Sequence, residues 1–236
     1  MRRFYAPLES FENNRVLLGS EEVRHLRDVL RLREGDMISI FDGSGGEYQC
    51  RIDEIGKRSA VVLIQEPIKP LSPESPLDLT LAAAVLKGEK FDLVVQKAVE
   101  LGVRRLIPLQ TMRCDVKTAN RMERWRRISL EATKQSGRAA IMDVVETAAL
   151  DDVLARSGSE QIVLFSERNG KSISELSPSK AMTAIVGPEG GWDDQELEAA
   201  VLGGVRIITL GGRILRAETA AIAVSAILQH RFGDLN

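Results

Sequence analysis

Hydrophobic and polar positions alternate in short runs over roughly the first 70 residues. Runs with the two-residue period of a β-strand are Asp36–Phe41, Glu47–Ile52 and Ala60–Ile64. Glycine-rich turns separate them, as expected for strands that pair with their neighbours. One helix precedes these runs and begins at Ser20. Its apolar face consists of Val23, Leu26, Val29 and Leu30. The pattern predicts a small β-barrel.

Four prolines mark the end of this region: Pro67, Pro70, Pro73 and Pro76. Proline lacks the N–H that helices and sheet ladders need, so the stretch predicts a break between domains. We therefore expect a β-barrel domain over residues 1–70, a linker over 71–76 and a second domain over 77–236.

Beyond the linker, apolar strands alternate with longer stretches of helical period, which predicts an α/β domain with a mostly parallel sheet. The predicted strands are Leu79–Leu86, Arg105–Gln110, Gln161–Glu167, Ala181–Val186 and Arg206–Leu210, with a weaker one near Val144. The predicted helices cover residues 89–101, 120–136, 194–202 and 218–231. Asp193 and Glu196 predict a capping box at the start of the third.

Two glycine-rich stretches near the C-terminus each follow an apolar run and lead into a helical pattern. They are Ile185–Gly191 and Leu210–Ala220. Glycine permits positive φ and lets a ligand approach the backbone, while the first N–H groups of a helix are free to bind a ligand. The two loops predict a cofactor site at one edge of the sheet.

Composition narrows the class of protein. Of the 236 residues, 44% are hydrophobic, and this content is sufficient for packed cores. The formal net charge is −2. No apolar run is long enough to span a membrane and no signal segment follows Met1, so a cytosolic location is expected. Cys50 and Cys114 are far apart and are interpreted as ordinary thiols, and the two histidines do not form a metal motif with them. No metal site is predicted.

The small net charge hides a basic band. Between Arg104 and Arg138 there are ten Lys/Arg, Lys117 among them, against three Asp/Glu. Such a band fits a protein that contacts phosphates on one face. A helix face neutralised by ion pairs is an equally good interpretation.

Common nucleotide and hydrolase motifs are absent. There is no GxGxxG placed between a strand and a helix, no GxxxxGK[ST] and no GxSxG. Dinucleotide oxidoreductases, P-loop nucleotidases and serine hydrolases of the usual type are therefore disfavoured.

The remaining motifs resemble those of the RsmE family, bacterial ribosomal RNA uracil-N3 methyltransferases of the SPOUT class. The segments that carry the resemblance are Phe165-Ser166-Glu167-Arg168, Val186-Gly187-Pro188-Glu189-Gly190-Gly191, Leu210-Gly211-x-Arg213-Ile214-Leu215-Arg216-x-Glu218-Thr219-Ala220 and Arg31-Leu32-x-x-Gly35-Asp36. The resemblance covers nearly the whole chain. It implies a PUA- or OB-like β-barrel followed by a SPOUT α/β domain with a deep trefoil knot, one of the rare exceptions to the rule that chains are not knotted.

The resemblance also implies that S-adenosylmethionine binds in the knot. The residues expected to contact it are Leu164, Ser166, Glu167, Gly187, Pro188, Glu189, Gly190, Gly191, Leu210, Gly211, Ile214, Leu215, Arg216, Thr219 and Ala220. Among these, Leu164 is equally well explained as a residue of the hydrophobic core. For Gly187, Gly190, Gly191 and Gly211 the alternative is that they form simple tight turns.

Arg216 and Glu218 are the candidates for catalysis. The N3 atom of uracil becomes a nucleophile only when its proton leaves, and a guanidinium stabilises the resulting anion. Glu218 would orient that guanidinium or accept the proton through water. The alternatives are a phosphate clamp for Arg216 and a helix-start acid for Glu218.

RNA contacts are expected on both domains. The candidates are Arg2, Arg3, Arg27, Arg31, Arg33, Lys87, Arg113, Gln135 and Arg138. For Gln135 and Arg138 a helix-end cap is the plain alternative. The expected substrate is one uridine of 16S ribosomal RNA within the 30S subunit.

The resemblance further implies a homodimer, which the small, apolar last helix fits but does not require. Two other functions stay open. A SPOUT ribose 2′-O-methyltransferase would share the knot, and a non-catalytic RNA-binding protein would keep the fold without the chemistry.

Overall fold

The computed structural model describes residues 2–114, 121–155 and 161–235. The chain divides into two compact units, each with its own β-sheet. The first unit contains the residues up to Glu74 together with Thr133–Ile141, and the second contains Ser75–Ala132 and the chain from Met142 onward.

The first unit is built on a curled six-stranded sheet with the strand order β1-β4-β5-β6-β3-β2. Its strands are β1 (Arg3–Tyr5), β2 (Phe11–Glu12), β3 (Arg15–Leu18), β4 (Met37–Phe41), β5 (Glu47–Ile55) and β6 (Ala60–Ile68). Neighbours run antiparallel except β1 and β4, which are parallel. Alternate side chains point inward to a core that includes Phe4, Leu18, Ile40 and Ile52.

A short helix, α1 (Ser20–Arg24), follows β3 and continues into a π-helical turn over His25–Val29. Val23 and Leu26 are fully buried as predicted, whereas Val29 is 68% exposed. The prediction for Val29 is wrong because the wider π-turn changes the angle at which successive side chains leave the helix.

Strand β6 runs through Pro67, although the prolines predicted that sheet pairing would stop before it. Pro67 pairs with Tyr48 of β5, but β3 accompanies β6 only as far as Leu63. One side of β6 is therefore unpaired at residue 67, where the missing N–H costs little.

The segment Thr133–Ile141 belongs to the first unit, although its first residues are the last turn of a helix that begins in the second. The amide of Gly45 donates to the carbonyl of Ala139 at 3.2 Å, and the amide of Ile141 donates to the carbonyl of Gly43 at 2.9 Å. The turn between β4 and β5 is thus paired with this distant segment.

The second unit has a sheet with the order β10-β8-β7-β12-β11-β13, and a short β9 beside β8. Every described strand pair in it is parallel. The strands are β7 (Asp78–Ala84), β8 (Arg105–Gln110), β9 (Asp143–Val144), β10 (Ala148–Ala149), β11 (Gln161–Phe165), β12 (Ala181–Val186) and β13 (Arg206–Ile208). The helices are α2 (Lys90–Glu100), α3 (Met122–Ser136), α4 (Leu150–Leu154), α5 (Asp194–Leu202) and α6 (Ala217–Phe232).

Helix α6 packs against α2, β12 and β7, whereas β13 lies at the outer edge beside β11. The chain from Thr209 to Arg216 therefore crosses the carboxyl ends of β11 and β12. This path is consistent with the predicted trefoil knot. The predicted fold class, a PUA-type domain followed by a SPOUT-type α/β domain, is confirmed.

Over the described ranges, no helix combines the length and apolar character needed to cross a membrane. In the same part of the chain, no cluster of three or more His, Cys, Asp or Glu side chains could hold a metal ion. Cys50 and Cys114 are both buried and unbridged, and burial raises the pKa of the Cys50 thiol to about 12. That thiol is therefore not ionised near neutral pH.

Candidate functional site

The carboxyl ends of β11 and β12 lie side by side in the second unit, because the two strands are parallel and adjacent. The segment that follows each strand and the crossing chain before α6 enclose a cavity of about 410 Å³. This volume lies within the range of small-molecule and cofactor sites.

Most of the residues predicted to contact a cofactor line this cavity. They are Ser166, Glu167, Gly187, Pro188, Glu189, Gly190, Gly191, Leu210, Gly211, Ile214, Leu215, Arg216 and Ala220, joined by Glu218 from the catalytic pair. The two glycine-rich stretches therefore converge, as the sequence pattern predicted.

Two predicted contacts lie elsewhere. Leu164 is fully buried in the core beside Ile185 and Trp192 and does not line the cavity, so the core interpretation describes its surroundings. Thr219 is exposed in the first turn of α6 and is also absent from the lining. It lies between Glu218 and Ala220, both of which do face the cavity.

The glycine loop, residues 187–191, is a tight turn after β12. The amide of Gly191 donates to the carbonyl of Pro188 at 3.0 Å, and Gly191 has φ +70°, which favours glycine. Asp193 and Glu196 then form the predicted capping box at the start of α5, which is confirmed.

Glu189 ties the glycine loop to the start of α2. The Lys90 ammonium donates to its carboxylate, and the Lys87 amide does so too. The Lys90 contact is the main reason why the pKa of Glu189 lies below its ordinary value, and it raises the pKa of Lys90.

The crossing segment forms the opposite wall. Gly211 has φ +64° and open space around it, so its backbone conformation alone favours glycine. Ile214 is 84% exposed, an unusual position for a large apolar side chain. Arg213 and Arg216 beside it are also exposed.

Glu218 occupies the first turn of α6. One of its carboxylate oxygens, Oε2, is buried and accepts no hydrogen bond from any described residue. An unsatisfied carboxylate oxygen is costly to bury, so this atom suits a ligand that brings a positive charge or a donor.

The cavity also contains residues that sequence reasoning missed: Lys90, Phe165, Val186, Trp192, Arg213, Ala217 and Val224. Phe165, Val186 and Arg213 lie within the quoted motifs and could have been included. Lys90 comes from α2, which no motif connects to the site.

The predicted RNA-binding residues divide into three groups. Those with exposed side chains and no side-chain hydrogen bond or ion pair among the described residues are Arg2, Arg31, Arg33, Lys87 and Gln135. Arg27 and Arg113 are exposed but already bonded. Arg27 contacts Asp28 and the carbonyls of Gly56 and Lys57, and Arg113 contacts Gly190 and Asp193.

Arg3 and Arg138 form the third group, because both side chains are bonded within the protein. Arg138 is 3% exposed and bonds both carboxylate oxygens of Glu74, at 3.1 and 2.6 Å. Arg3 pairs with Glu47 and donates to the carbonyls of Thr133 and Arg138. Both guanidinium groups are therefore paired with carboxylates and carbonyls of the first unit.

The basic band is largely neutralised. Ion pairs join Arg104 to Asp78, Arg105 to Asp143, Arg113 to Asp193, Arg124 to Asp92, Arg126 to Glu146, Lys134 to Glu22 and Arg138 to Glu74. Lys117 lies outside the described residues. Of the two interpretations of the band, the structure favours ion pairing.

Known proteins resemble this chain over nearly its full length. Residues 73–229 match the RNA methyltransferase domain family, and residues 18–65 match the PUA domain family of RNA methyltransferases. The ribosomal RNA small subunit methyltransferase E of Rickettsia conorii is 35% identical, covering 95% of this chain and 93% of that protein. The Bacillus subtilis protein of the same name is 31% identical, covering 88% and 87%.

Solved structures agree with the sequence relatives. The Neisseria gonorrhoeae protein of the same name, bound to S-adenosylmethionine, superposes with a TM-score of 0.91 at 36% identity and covers all of both chains. A Legionella pneumophila methyltransferase in complex with the same cofactor gives a TM-score of 0.89 at 33% identity, covering 99% of this chain and 98% of that one. The chain belongs to the ribosomal RNA small subunit methyltransferase E family, the RsmE family.

Proposed function

We propose that this protein transfers a methyl group from S-adenosylmethionine to N3 of one uridine in 16S ribosomal RNA. The observation that carries the proposal is the cavity at the ends of β11 and β12, lined by the two motifs that first indicated the family. Relatives named for small-subunit ribosomal RNA, and two related structures that contain the cofactor, support it.

The described residues fit S-adenosylmethionine. Gly211 leaves open space where a side chain would lie beside the cavity, and Leu210 and Leu215 supply apolar walls for an adenine. The unpaired Oε2 of Glu218 suits the positive charge of this cofactor. When bound, the cofactor supplies an activated methyl group on a sulfonium sulfur.

The proposed roles of Arg216 and Glu218 follow from the chemistry of uracil. The N3–H must lose its proton as the new bond forms, and negative charge then spreads to the two carbonyl oxygens. Arg216 lines the cavity, is exposed and has no described partner, so its guanidinium is available to hydrogen-bond those oxygens. Glu218 would orient the guanidinium or take the proton through water.

The proposed partner is 16S ribosomal RNA within the 30S subunit. Arg2, Arg31 and Arg33 on the first unit are the best candidates for phosphate contacts, because their side chains are exposed and free of ion pairs. A ribosomal substrate implies a cytoplasmic location. A homodimer remains part of the proposal, supported by the family resemblance and by the apolar composition of α6.

The test uses small ribosomal subunits from a host that lacks its own enzyme of this type. Purified protein and radiolabelled S-adenosylmethionine are added, and the labelled nucleoside is identified by chromatography. We expect label in 3-methyluridine. Label in a 2′-O-methyl nucleoside would overturn the chemistry but keep the fold, and no transfer despite cofactor binding would favour the binding-only alternative.

The Arg216→Ala variant tests the catalytic assignment in the same assay. We expect methyl transfer to be lost while cofactor binding persists. Arg127→Ala is the matched control, since Arg127 is an exposed arginine of α3 that does not line the cavity. Retained turnover in Arg216→Ala would remove this residue from catalysis.

A further inference from the structure

The glycine loop is held from outside the cavity by one arginine. Arg113 lies in the turn after β8, and its guanidinium donates to the carbonyl of Gly190 at 3.2 Å and to the carboxylate of Asp193 at 3.1 Å. The planar guanidinium group thus bridges the end of the glycine loop and Asp193, the N-cap residue of α5.

The backbone of the glycine loop also packs on the stem of the same side chain. A Cβ atom added to Gly190 would lie 3.3 Å from Cβ and 3.6 Å from Cδ of Arg113. The missing side chain at residue 190 therefore lets the loop rest on Arg113. This contact explains the glycine without any ligand.

A buried carboxylate, that of Glu196, holds the turn that carries Arg113 in place. Glu196 is 6% exposed, and its two oxygens accept from the amide of Met112 at 2.8 Å and from the amide of Asp193 at 3.0 Å. The turn that carries Arg113 is thereby joined to the start of α5 by a second, independent bridge.

We propose that Arg113 is a positioning residue for the cofactor. It does not line the cavity itself. It keeps the loop over residues 187–191 in the conformation that forms the cavity wall, so that cofactor binding does not have to order that loop. The inference rests on the proposed function, and it differs from the sequence prediction that Arg113 contacts RNA.

The two roles differ in an experiment without RNA. The affinity of the full-length protein for S-adenosylmethionine is measured by isothermal titration calorimetry for the wild type, Arg113→Gln and Arg113→Lys. The matched control is Arg126→Gln. Arg126 is 52% exposed against 46% for Arg113, and it likewise donates to one carbonyl, of Val144, and one carboxylate, of Glu146.

We expect Arg113→Gln to weaken cofactor binding about tenfold, through loss of loop order alone. Arg113→Lys should show a smaller loss, because an ammonium reaches one of the two acceptors but not both. Arg126→Gln should bind like the wild type. Melting temperatures of the two glutamine variants should be similar, which separates a local effect on the loop from general destabilisation.

Two results would overturn the inference. If Arg113→Gln binds the cofactor within twofold of the wild type, Arg113 does not position the loop. If that variant instead loses affinity for small ribosomal subunits, Arg113 is an RNA contact. Failure of the wild type to bind S-adenosylmethionine would overturn the proposed function itself. The wild-type titration is therefore carried out before the variants are measured.

Discussion

The indole ring of Trp192 lies so close to Gly187 that a Cβ atom on residue 187 would be 2.7 Å from the ring carbon Cε2. The indole N–H donates to the carbonyl of Phe165 at 2.8 Å, so the ring joins the ends of β11 and β12 beneath the cavity. Gly187 is therefore required by packing within the protein. The cofactor explanation, which the sequence suggested, is not needed for this position.

Gly187→Ala should consequently displace the indole and weaken its hydrogen bond to Phe165. We expect a loss of about 1–3 kcal/mol in the free energy of unfolding, typical of overpacking, together with weaker binding of S-adenosylmethionine. Urea denaturation and calorimetry measure the two effects. Gly212→Ala is the control, because nothing lies within 4 Å of an added Cβ there. Equal stabilities for the two variants would contradict the packing argument.

Arg138 stabilises the first unit through its pair with Glu74, in which the arginine side chain is only 4% exposed. Arg138→Gln leaves that carboxylate, whose side chain is 29% exposed, without its partner, and the expected cost is about 2 kcal/mol. Arg105→Gln breaks the Arg105–Asp143 pair, whose side chains are 49% and 56% exposed, and should cost less than about 1 kcal/mol. Urea denaturation compares them. A stable Arg138→Gln protein with weakened RNA binding would restore the sequence prediction.

Local sequence signals were sufficient to predict the bounds of an element where its own residues determine where it begins and ends. The bounds of β8, β12 and α5 match their predicted ranges, since apolar runs end at clear turn signals and the Asp193–Glu196 box marks a helix start. The short strands β1, β2, β3 and β10 were missed because two to four residues carry no periodicity. They exist only through pairing with distant strands.

The candidate site shows the same division. Glycines and motif residues that follow β11, β12 and β13 could be assigned from the chain alone. The burial of Arg138 depends on Glu74, 64 positions earlier, and the place of Lys90 in the cavity depends on where α2 begins. Neither relation can be inferred from the residues that neighbour Arg138 or Lys90 in the sequence. Arg138, a basic residue in a motif, was therefore interpreted as an RNA contact.

The Lys90–Glu189 pair should respond to acid in a defined direction. Because the pKa of Glu189 is lowered, the pair is formed above the ordinary pKa of a glutamate and is lost as the pH falls through the lowered value. Lys90→Gln should raise the Glu189 pKa towards its ordinary value, measured by carbon NMR of the carboxyl group during a pH titration.

Lys87→Gln is the control for this titration, because the backbone amide of Lys87, which the substitution keeps, is its main contribution to Glu189. Its effect should be clearly smaller. Equal shifts in the two variants would mean that the Lys90 side chain does not hold the carboxylate in solution.

Glu218 should distinguish the cofactor from its demethylated product. S-adenosylmethionine carries a positive sulfonium, whereas the sulfur of S-adenosylhomocysteine is neutral; both keep the same amino acid and adenosine groups. One carboxylate oxygen of Glu218 is buried without a hydrogen bond, although Lys90 interacts electrostatically with the same carboxylate, and a buried negative oxygen attracts the charged form more strongly than the neutral one. Glu218→Gln should therefore weaken binding of S-adenosylmethionine about tenfold and binding of S-adenosylhomocysteine by less than about twofold.

Glu167→Gln provides the comparison for this measurement. Glu167 also lines the cavity, but its side chain is 36% exposed and lies 3.6 Å from the guanidinium of Arg168, so water and a neighbouring cation screen its charge. Calorimetry with both ligands should show a smaller change in preference for this variant. An equal loss for both ligands in Glu218→Gln would mean that the carboxylate contacts the ammonium group they share. The sulfonium would then be recognised by other parts of the cavity.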